Sequence, residues 1–236
     1  MKKIIIVGVV ILSGVLLWFF LLRTNTPSQA PQPVDILPIV SYDIQSRDGV
    51  TSEIMEARFS EFLTEEKSVN AWTEFTHNGQ TVSAQEGLSA LGTTVEPSIN
   101  TLLDQHQWQL YKCEDTISST GAPSLVISLT FALNPNYPSN LYKDQLDYLA
   151  TWEQTLLTDV RTVLFPKAYF SITPSQISVF RNNPKHSFVG LRETNVSFSG
   201  GETGYIGYIF VGDELLIGNN LECLVEAQEL LFDTSA

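Results

Sequence analysis

The sequence predicts an α+β protein: an N-terminal transmembrane helix and a Pro-rich stalk, followed by a mainly antiparallel sheet packed with helices and closing with a β-hairpin and C-terminal helix. Three observations carry this expectation. Residues 4–22 are apolar and uncharged throughout. From residue 36 onward, strand-like and helix-like periods mix without a regular βαβ alternation. The stretch from Tyr205 onward reads strand, Gly-Asp turn, strand and amphipathic helix.

The apolar run follows Lys2 and Lys3 and ends at Arg23. At ~1.5 Å rise per residue it covers about 28 Å, close to the hydrocarbon thickness of a bilayer. Trp18, Phe19 and Phe20 gather near one end, as interfacial aromatics do. Ser28-Gln29-Ala30 has the composition of a signal-peptide cleavage site, but the apolar run is longer than a signal peptide's, and Ala30 lies well beyond its end. Residues 1–23 are therefore expected to be an uncleaved signal-anchor. The charge placement puts the N-terminus in the cytoplasm and the rest of the chain outside the cell membrane. Residues 24–35 contain Pro27, Pro31 and Pro33 and show no apolar period, the composition of a semi-rigid stalk.

Residues 36–236 are long enough for one sizeable core and read as a single extracytoplasmic domain. Residues 36–42 are extended. Met55, Phe59, Phe62 and Leu63 recur at helical spacing over residues 52–65. Residues 72–77 read as a strand ending at the Asn78-Gly79 turn. Short helices are expected over 83–91 and 96–105, and strands over 108–113 and 124–133, the second apolar enough to be central. The strongest helical period runs through residues 140–165, stopped by Pro166. Strands are expected over 168–172, 177–180 and 189–198. A hairpin then joins 205–211 to 214–217 through Gly212-Asp213. In the closing helix Asn219 and Glu222 form a capping-box pattern, and Leu221, Leu224, Val225, Leu231 and Phe232 form the apolar stripe.

Charge bounds the partners. Lys2, Lys3 and Arg23 account for three of the thirteen bases, so residues 24–236 set ten bases against 26 acids, a formal charge of −16. Such a surface disfavours nucleic acid and anionic lipid headgroups. The partners expected are the membrane, through the N-terminal helix, and a protein.

No phosphate grip is present. Gly212 and Gly218 are separated by five residues where a P-loop has four, and Asn219-Asn220 replaces its Lys and hydroxyl. Gly204 and Gly207 have the wrong spacing for a dinucleotide fingerprint and sit in a strand. The run from Gly87 to Gly92 is one residue longer than a nucleophile elbow, and Ser89 follows a polar stretch where the elbow needs a buried strand. His77, His106 and His186 have no partner at metal-ligand spacing, and residues 43–49 lack the alternating oxygens of a calcium loop. Trp72, Trp108 and Trp152 fit a core better than a sugar platform. Glu65 and Glu66 read as solvated. Asn195-Val196-Ser197 matches a glycosylation sequon in a strand context.

Cys113 and Cys223 are the only cysteines. In an exported domain the two can pair, or they can stay apart as buried thiols; the spacing leaves both open. The sequence therefore assigns no catalytic, cofactor-binding or metal-ligating residue. It points to a membrane-anchored module for interaction, assembly or sensing, the alternative being an anchored hydrolase or a small-ligand or cation-binding domain.

Overall fold

The computed structural model describes residues 39–46, 49–93, 95, 97, 103–117, 122–131, 149–166, 174–177, 179–182, 190–198 and 203–234. The chain divides into two units, Met1–Asp35 and Ile36–Ala236. The anchor and stalk expectations fall on the first, outside the described residues. No helix among the described residues is long and apolar enough to cross a membrane.

Strand β5 (Ala122–Phe131) is buried along its entire length. Its near-continuous apolar sequence suits a strand covered on both faces. Around it the described strands form one sheet: β1 (Ile39–Ile44), β2 (Trp72–His77), β4 (Leu103–Ile117), β5, β10 (Glu214–Gly218), β9 (Thr203–Val211), β8 (Arg192–Phe198) and β6 (Pro174–Ile177). Two short strands lie off this path, β3 (Gln80–Thr81) on β2 and β7 (Arg181–Asn182) on β8. Every pairing of these strands is antiparallel except β1 with β2, so the sheet is mixed. The parallel pair follows from its connection, a crossover through helix α1 (Ser52–Thr64).

The pleat sends Leu125, Ile127, Leu129 and Phe131 to one face. There α1, α2 (Ala84–Ala90) and α3 (Leu156–Leu164) bury Met55, Phe62, Leu88, Val160 and Leu164 against them. Val126 and Leu216 point to the other face, under helix α4 (Leu221–Thr234), which contributes Cys223, Leu224 and Ala227. Trp108 lies on the first face, stacked on Phe75 at 5.5 Å, with its indole N–H donating to the Val82 carbonyl at 2.9 Å. Helix α2 can lie on this indole because residue 87 is Gly; a Cβ there would run into the ring.

Helix α1 carries its four apolar residues inward as the spacing predicts. The Asn78-Gly79 turn has φ of 56° and 75° at its two residues, and Gly212 has φ of 63°. Five expectations about the elements need correction. Residues 103–105 belong to β4, where pairing with the buried β5 overrides a weak helical period; residues 98–102 lie outside the described set. The long helix breaks. Leu149–Trp152 is helical, Glu153–Thr155 is turn, and α3 starts at Leu156. At the break the Trp152 indole and the Thr155 hydroxyl both donate to the Asp159 carboxylate, at 2.8 and 2.7 Å. Strand β6 ends at Ile177, and Val179 and Phe180 fall between strands. Strand β8 begins only at Arg192, after Gly190 with φ of 97°. The expected strand over 168–172 and the start of the long helix at 140–148 lie outside the described residues.

The fifth correction concerns the helix cap. Asn220 caps α4, its side-chain oxygen accepting from Cys223 N–H at 3.1 Å, one position later than the capping-box reading. Asn219 is fully buried instead. Its oxygen accepts from Leu125 N–H at 2.7 Å, and its amide donates to the carbonyls of Leu164 at 2.7 Å and Pro123 at 3.3 Å. One side chain thus joins β5, the end of α3 and the junction from β10 to α4. A disulfide joins Cys113 of β4 to Cys223 of α4, with Cα atoms 5.7 Å apart.

Two substitutions test this packing by urea denaturation. Asn219→Ala is expected to lower stability by about 2–4 kcal/mol, because it leaves buried backbone groups of Leu125 and Leu164 without partners. Gly87→Ala is expected to cost about 1–3 kcal/mol through overpacking against Trp108, although Ala is the better helix former.

Candidate functional site

Polar or charged side chains gather against the fold at several places among the described residues, and two of these open into depressions. The first is the end of α1. Lys112 shares a face with Leu110 in β4, so its ammonium enters the core, where the residue is 4 % exposed. Its three protons go to the carbonyls of Phe62 at 2.7 Å, Leu63 at 3.2 Å and Glu65 at 2.6 Å, acceptors that the helix leaves over at its C-terminus and two of which the Ser68 hydroxyl also reaches. Burial pulls its pKa down to about 8, with Glu65 opposing the shift. Glu65 is not simply solvated. It takes a hydrogen bond from Tyr42 Oη at 2.8 Å and a salt bridge from Lys67 at 2.7 Å, and these partners, Lys67 foremost, hold its carboxyl below the usual range. All of these groups are engaged, so this cluster is a structural cap.

The second is the Glu153–Arg192–Tyr208 network. Arg192 of β8 lies across from Tyr208 of β9 and reaches the broken helix at Glu153. Its Nε donates to one carboxylate oxygen and its Nη2 to the other at 2.8 Å, while Nη1 donates to Asn182 Oδ1 at 3.0 Å. Tyr208 Oη donates to Glu153 at 2.6 Å. Burial, and then that carboxylate, push the Tyr208 phenol far above its ordinary range. The fork-to-fork geometry fixes the helix break against the sheet. On the opposite face, Ser128 and Thr130 donate to Glu214, whose carboxyl burial raises above the usual range.

The third is a groove of about 520 Å³ at the β7–β8–β9 end of the sheet. Tyr205 lines it from β9, Glu193 and Asn195 from β8, Arg181 from β7 and Leu221 from the start of α4. Asn195 and Glu193 stand opposite Tyr205 and Gly207 in the β8–β9 register. The tyrosine ring folds over residue 207, where a Cβ would collide with it, so the strand can hold the ring down only because this residue is Gly. Tyr205 Oη is sealed from solvent with no partner at ordinary hydrogen-bond distance, and the Glu193 carboxylate is the group that acts on it most. Burial first, and then the charge and hydrogen-bonding pull of that carboxylate, hold the phenol far above the ordinary range, so it is neutral. Val179 stands 77 % exposed at the rim.

The residues singled out in the sequence fall elsewhere. Trp72, Trp108 and Trp152 are core residues, none more than 1 % exposed. Ser89 is exposed on α2, beside a depression of about 450 Å³ that it shares with Ser83 and Glu86; Ser83 caps the helix by accepting from Glu86 N–H at 3.2 Å. His77 Nε2 lies 2.9 Å from the Ser46 carbonyl. His186 lies outside the described residues. Among the described residues no three His, Cys, Asp or Glu side chains gather as metal ligands. The Gly-rich turn before α4 is scaffold: a Cβ at Gly218 would meet Val126 and Leu224 at 3.2 and 3.3 Å.

Sequence reasoning missed Lys112 and Tyr205. For Lys112 the signal was phase, since it follows Trp108 and Leu110 on the apolar alternation. For Tyr205 it was Gly204 and Gly207 within a strand. No family model, curated protein or solved structure matches the chain.

Tyrosines held neutral give the fold an alkaline limit. For Tyr208 the folded pKa is raised, so its contribution is complete below pH ~10 and is lost as the pH rises above it, at about 1.4 kcal/mol per pH unit. The difference in unfolding free energy between the wild type and Tyr208→Phe is expected to be flat from pH 7 to about 9.5 and to fall with that slope above pH ~10. A difference that is independent of pH up to 11.5 would show that the phenol titrates normally.

Proposed function

We propose that this chain is a single-pass membrane protein whose acidic α+β domain is held outside the cell membrane on its Pro-rich stalk and acts by binding, as an interaction, assembly or sensing module. The observation that carries the reading is the disulfide between Cys113 and Cys223, two residues 4 % and 2 % exposed that tie the last helix to a central strand. A structural disulfide of this kind is at home in an oxidising compartment. The uncharged run at residues 4–22, flanked by Lys2, Lys3 and Arg23, supplies the means of reaching one. Stability then depends on location: the bond closes a loop 110 residues long, worth about 4–5 kcal/mol on the chain-entropy account. Binding fits the polar groove at the β7–β8–β9 end, which offers hydrogen-bonding groups and an exposed apolar rim.

The test is made in cells expressing the full chain. The protein is expected in the carbonate-resistant membrane fraction and open to protease added outside spheroplasts, with both thiols blocked to alkylation until a reductant is added. Reduction of the purified protein is expected to lower its stability by about 4–5 kcal/mol in urea. Free thiols in a soluble fraction would overturn the reading. So would hydrolytic turnover by the purified domain that is abolished by a single substitution.

A further inference from the structure

Asn78-Gly79 is the only Asn-Gly pair in the sequence, and the fold sets it at the tip of the β2–β3 hairpin. Both residues are exposed, so water reaches the side chain and the peptide bond between them. The pairing of His77 with Gln80 makes them the two central residues of the turn. A turn of this kind is closed by the N–H of the residue after the glycine, so the ladder makes no use of the Gly79 N–H. Gly79 has no Cβ, and nothing lies within 4 Å of the place one would occupy. Its nitrogen is therefore open to approach by the Asn78 carboxamide, with which it can close a five-membered ring. Asparagine is among the thermolabile side chains, and a tip of this kind is where that chemistry has room.

The third group is His77. Its Nε2 lies 2.9 Å from the Ser46 carbonyl and 3.2 Å from Asn78 Nδ2. A proton on Nε2 makes the first contact a hydrogen bond, and the same proton then stands beside the amide nitrogen that ring closure must expel. Strand β1 fixes the imidazole there, since Ile44 pairs with His77 and Ser46 follows two residues later.

We propose that Asn78 is a site of self-modification, converted in the native fold to aspartate and isoaspartate through a cyclic imide, with His77 as the acid for the departing nitrogen. The Gly79 nitrogen attacks Asn78 Cγ, forming the N–Cγ bond as the Cγ–Nδ2 bond breaks. The nitrogen leaves as ammonia with one proton from His77 Nε2, and the proton lost by Gly79 returns to the imidazole through water. Water then opens the ring at either carbonyl. One opening leaves aspartate at residue 78. The other carries the main chain through the side-chain carbon and adds a methylene to the backbone of a two-residue turn. Either product sets a carboxylate beside His77, and isoaspartate no longer fits the register of Thr76 with Thr81 and His77 with Gln80. The strand after that turn leads to Val82, whose carbonyl takes the Trp108 indole N–H, so the change acts at the margin of the core.

The test incubates the purified full chain in detergent micelles near neutral pH and below its melting temperature. Samples are digested under mildly acidic conditions, and the peptide holding residue 78 is followed by mass and by enzymatic methylation of isoaspartate. The same chain unfolded in urea is the reference. Residue 78 is expected to convert in the folded chain ahead of every other asparagine, giving both products. His77→Gln is expected to slow the conversion about 10-fold or more in the folded chain and to leave the rate in urea unchanged. His77→Thr, a residue suited to a strand, is the second variant and is expected to slow it likewise. No product from the folded chain over a period in which the unfolded chain converts would overturn the proposal, since the turn would then hold the nitrogen away from Cγ. Equal rates in the folded wild type and a folded His77 variant would overturn it as well, because the imidazole would then take no part.

Discussion

Both layers of this fold meet at one carboxamide. Asn219 sits where β10 passes into α4, and its side chain reaches β5 and the last carbonyl of α3 at once. Its own N–H also bonds to the Leu125 carbonyl at 3.1 Å. The constraint behind this is general. A sheet covered on both faces cannot send its strand-end polar groups to water, so a side chain must supply partners from within. With one acceptor and two donors in a plane, a carboxamide closes three backbone groups that point different ways. The helix on one face and the helix on the other are thereby registered to the same central strand, independently of how well their apolar surfaces match.

The same constraint explains the other buried polar residues. A lysine inside a core is costly unless its protons are all placed. The end of α1 presents carbonyls that have no continuing helix to bond them, and Lys112 meets three. The guanidinium of Arg192 solves the related problem at the broken helix, where Glu153 would otherwise bring a carboxylate against the sheet. Each of these networks is complete. Trp72 Nε1, Thr73 Oγ1 and Ser124 Oγ are the contrast, buried groups among the described residues that have no hydrogen-bond partner.

Elements with a long, regular period were legible in the sequence. Helix α1, strand β2 with its Asn-Gly turn, the central strand β5 and the closing hairpin all follow from local pattern, because in each the apolar phase and the turn chemistry agree. What the pattern could not supply was competition between partners. The helical period through residues 140–165 passes over Glu153–Thr155 without a gap, yet there the backbone tightens into bonds from Gln154 N–H to Thr151 O and from Thr155 N–H to Trp152 O, while the side chains of Trp152, Glu153 and Thr155 are tied to Asp159, Arg192 and Tyr208. The cap of α4 moved by one residue for the same kind of reason: Asn219 and Asn220 are alike in sequence, and only the position of β5 decides which of them is taken inward. The disulfide was undecidable because a separation of 110 residues carries no geometry; its Cα distance arises from α4 crossing β4.

The candidate site was less legible than the fold, and the glycines of β9 show why. Glycine weakens a strand, so two of them in nine residues ask for a cause. At Gly204 the cause is the core, since a Cβ there would press on Phe198 at 2.9 Å and Phe165 at 3.4 Å. At Gly207 the cause is the Tyr205 ring, laid flat along its own strand. In the sequence the two positions look the same, as both are gaps left for an aromatic ring. They separate only when the neighbouring strands are in place. Phe198 then proves to be closed inside the first face, whereas Tyr205 shares its groove with Glu193 and Asn195. A strand that gives up two side chains for rings has used one gap to pack the core and the other to seat a tyrosine ring beside the Glu193 carboxylate.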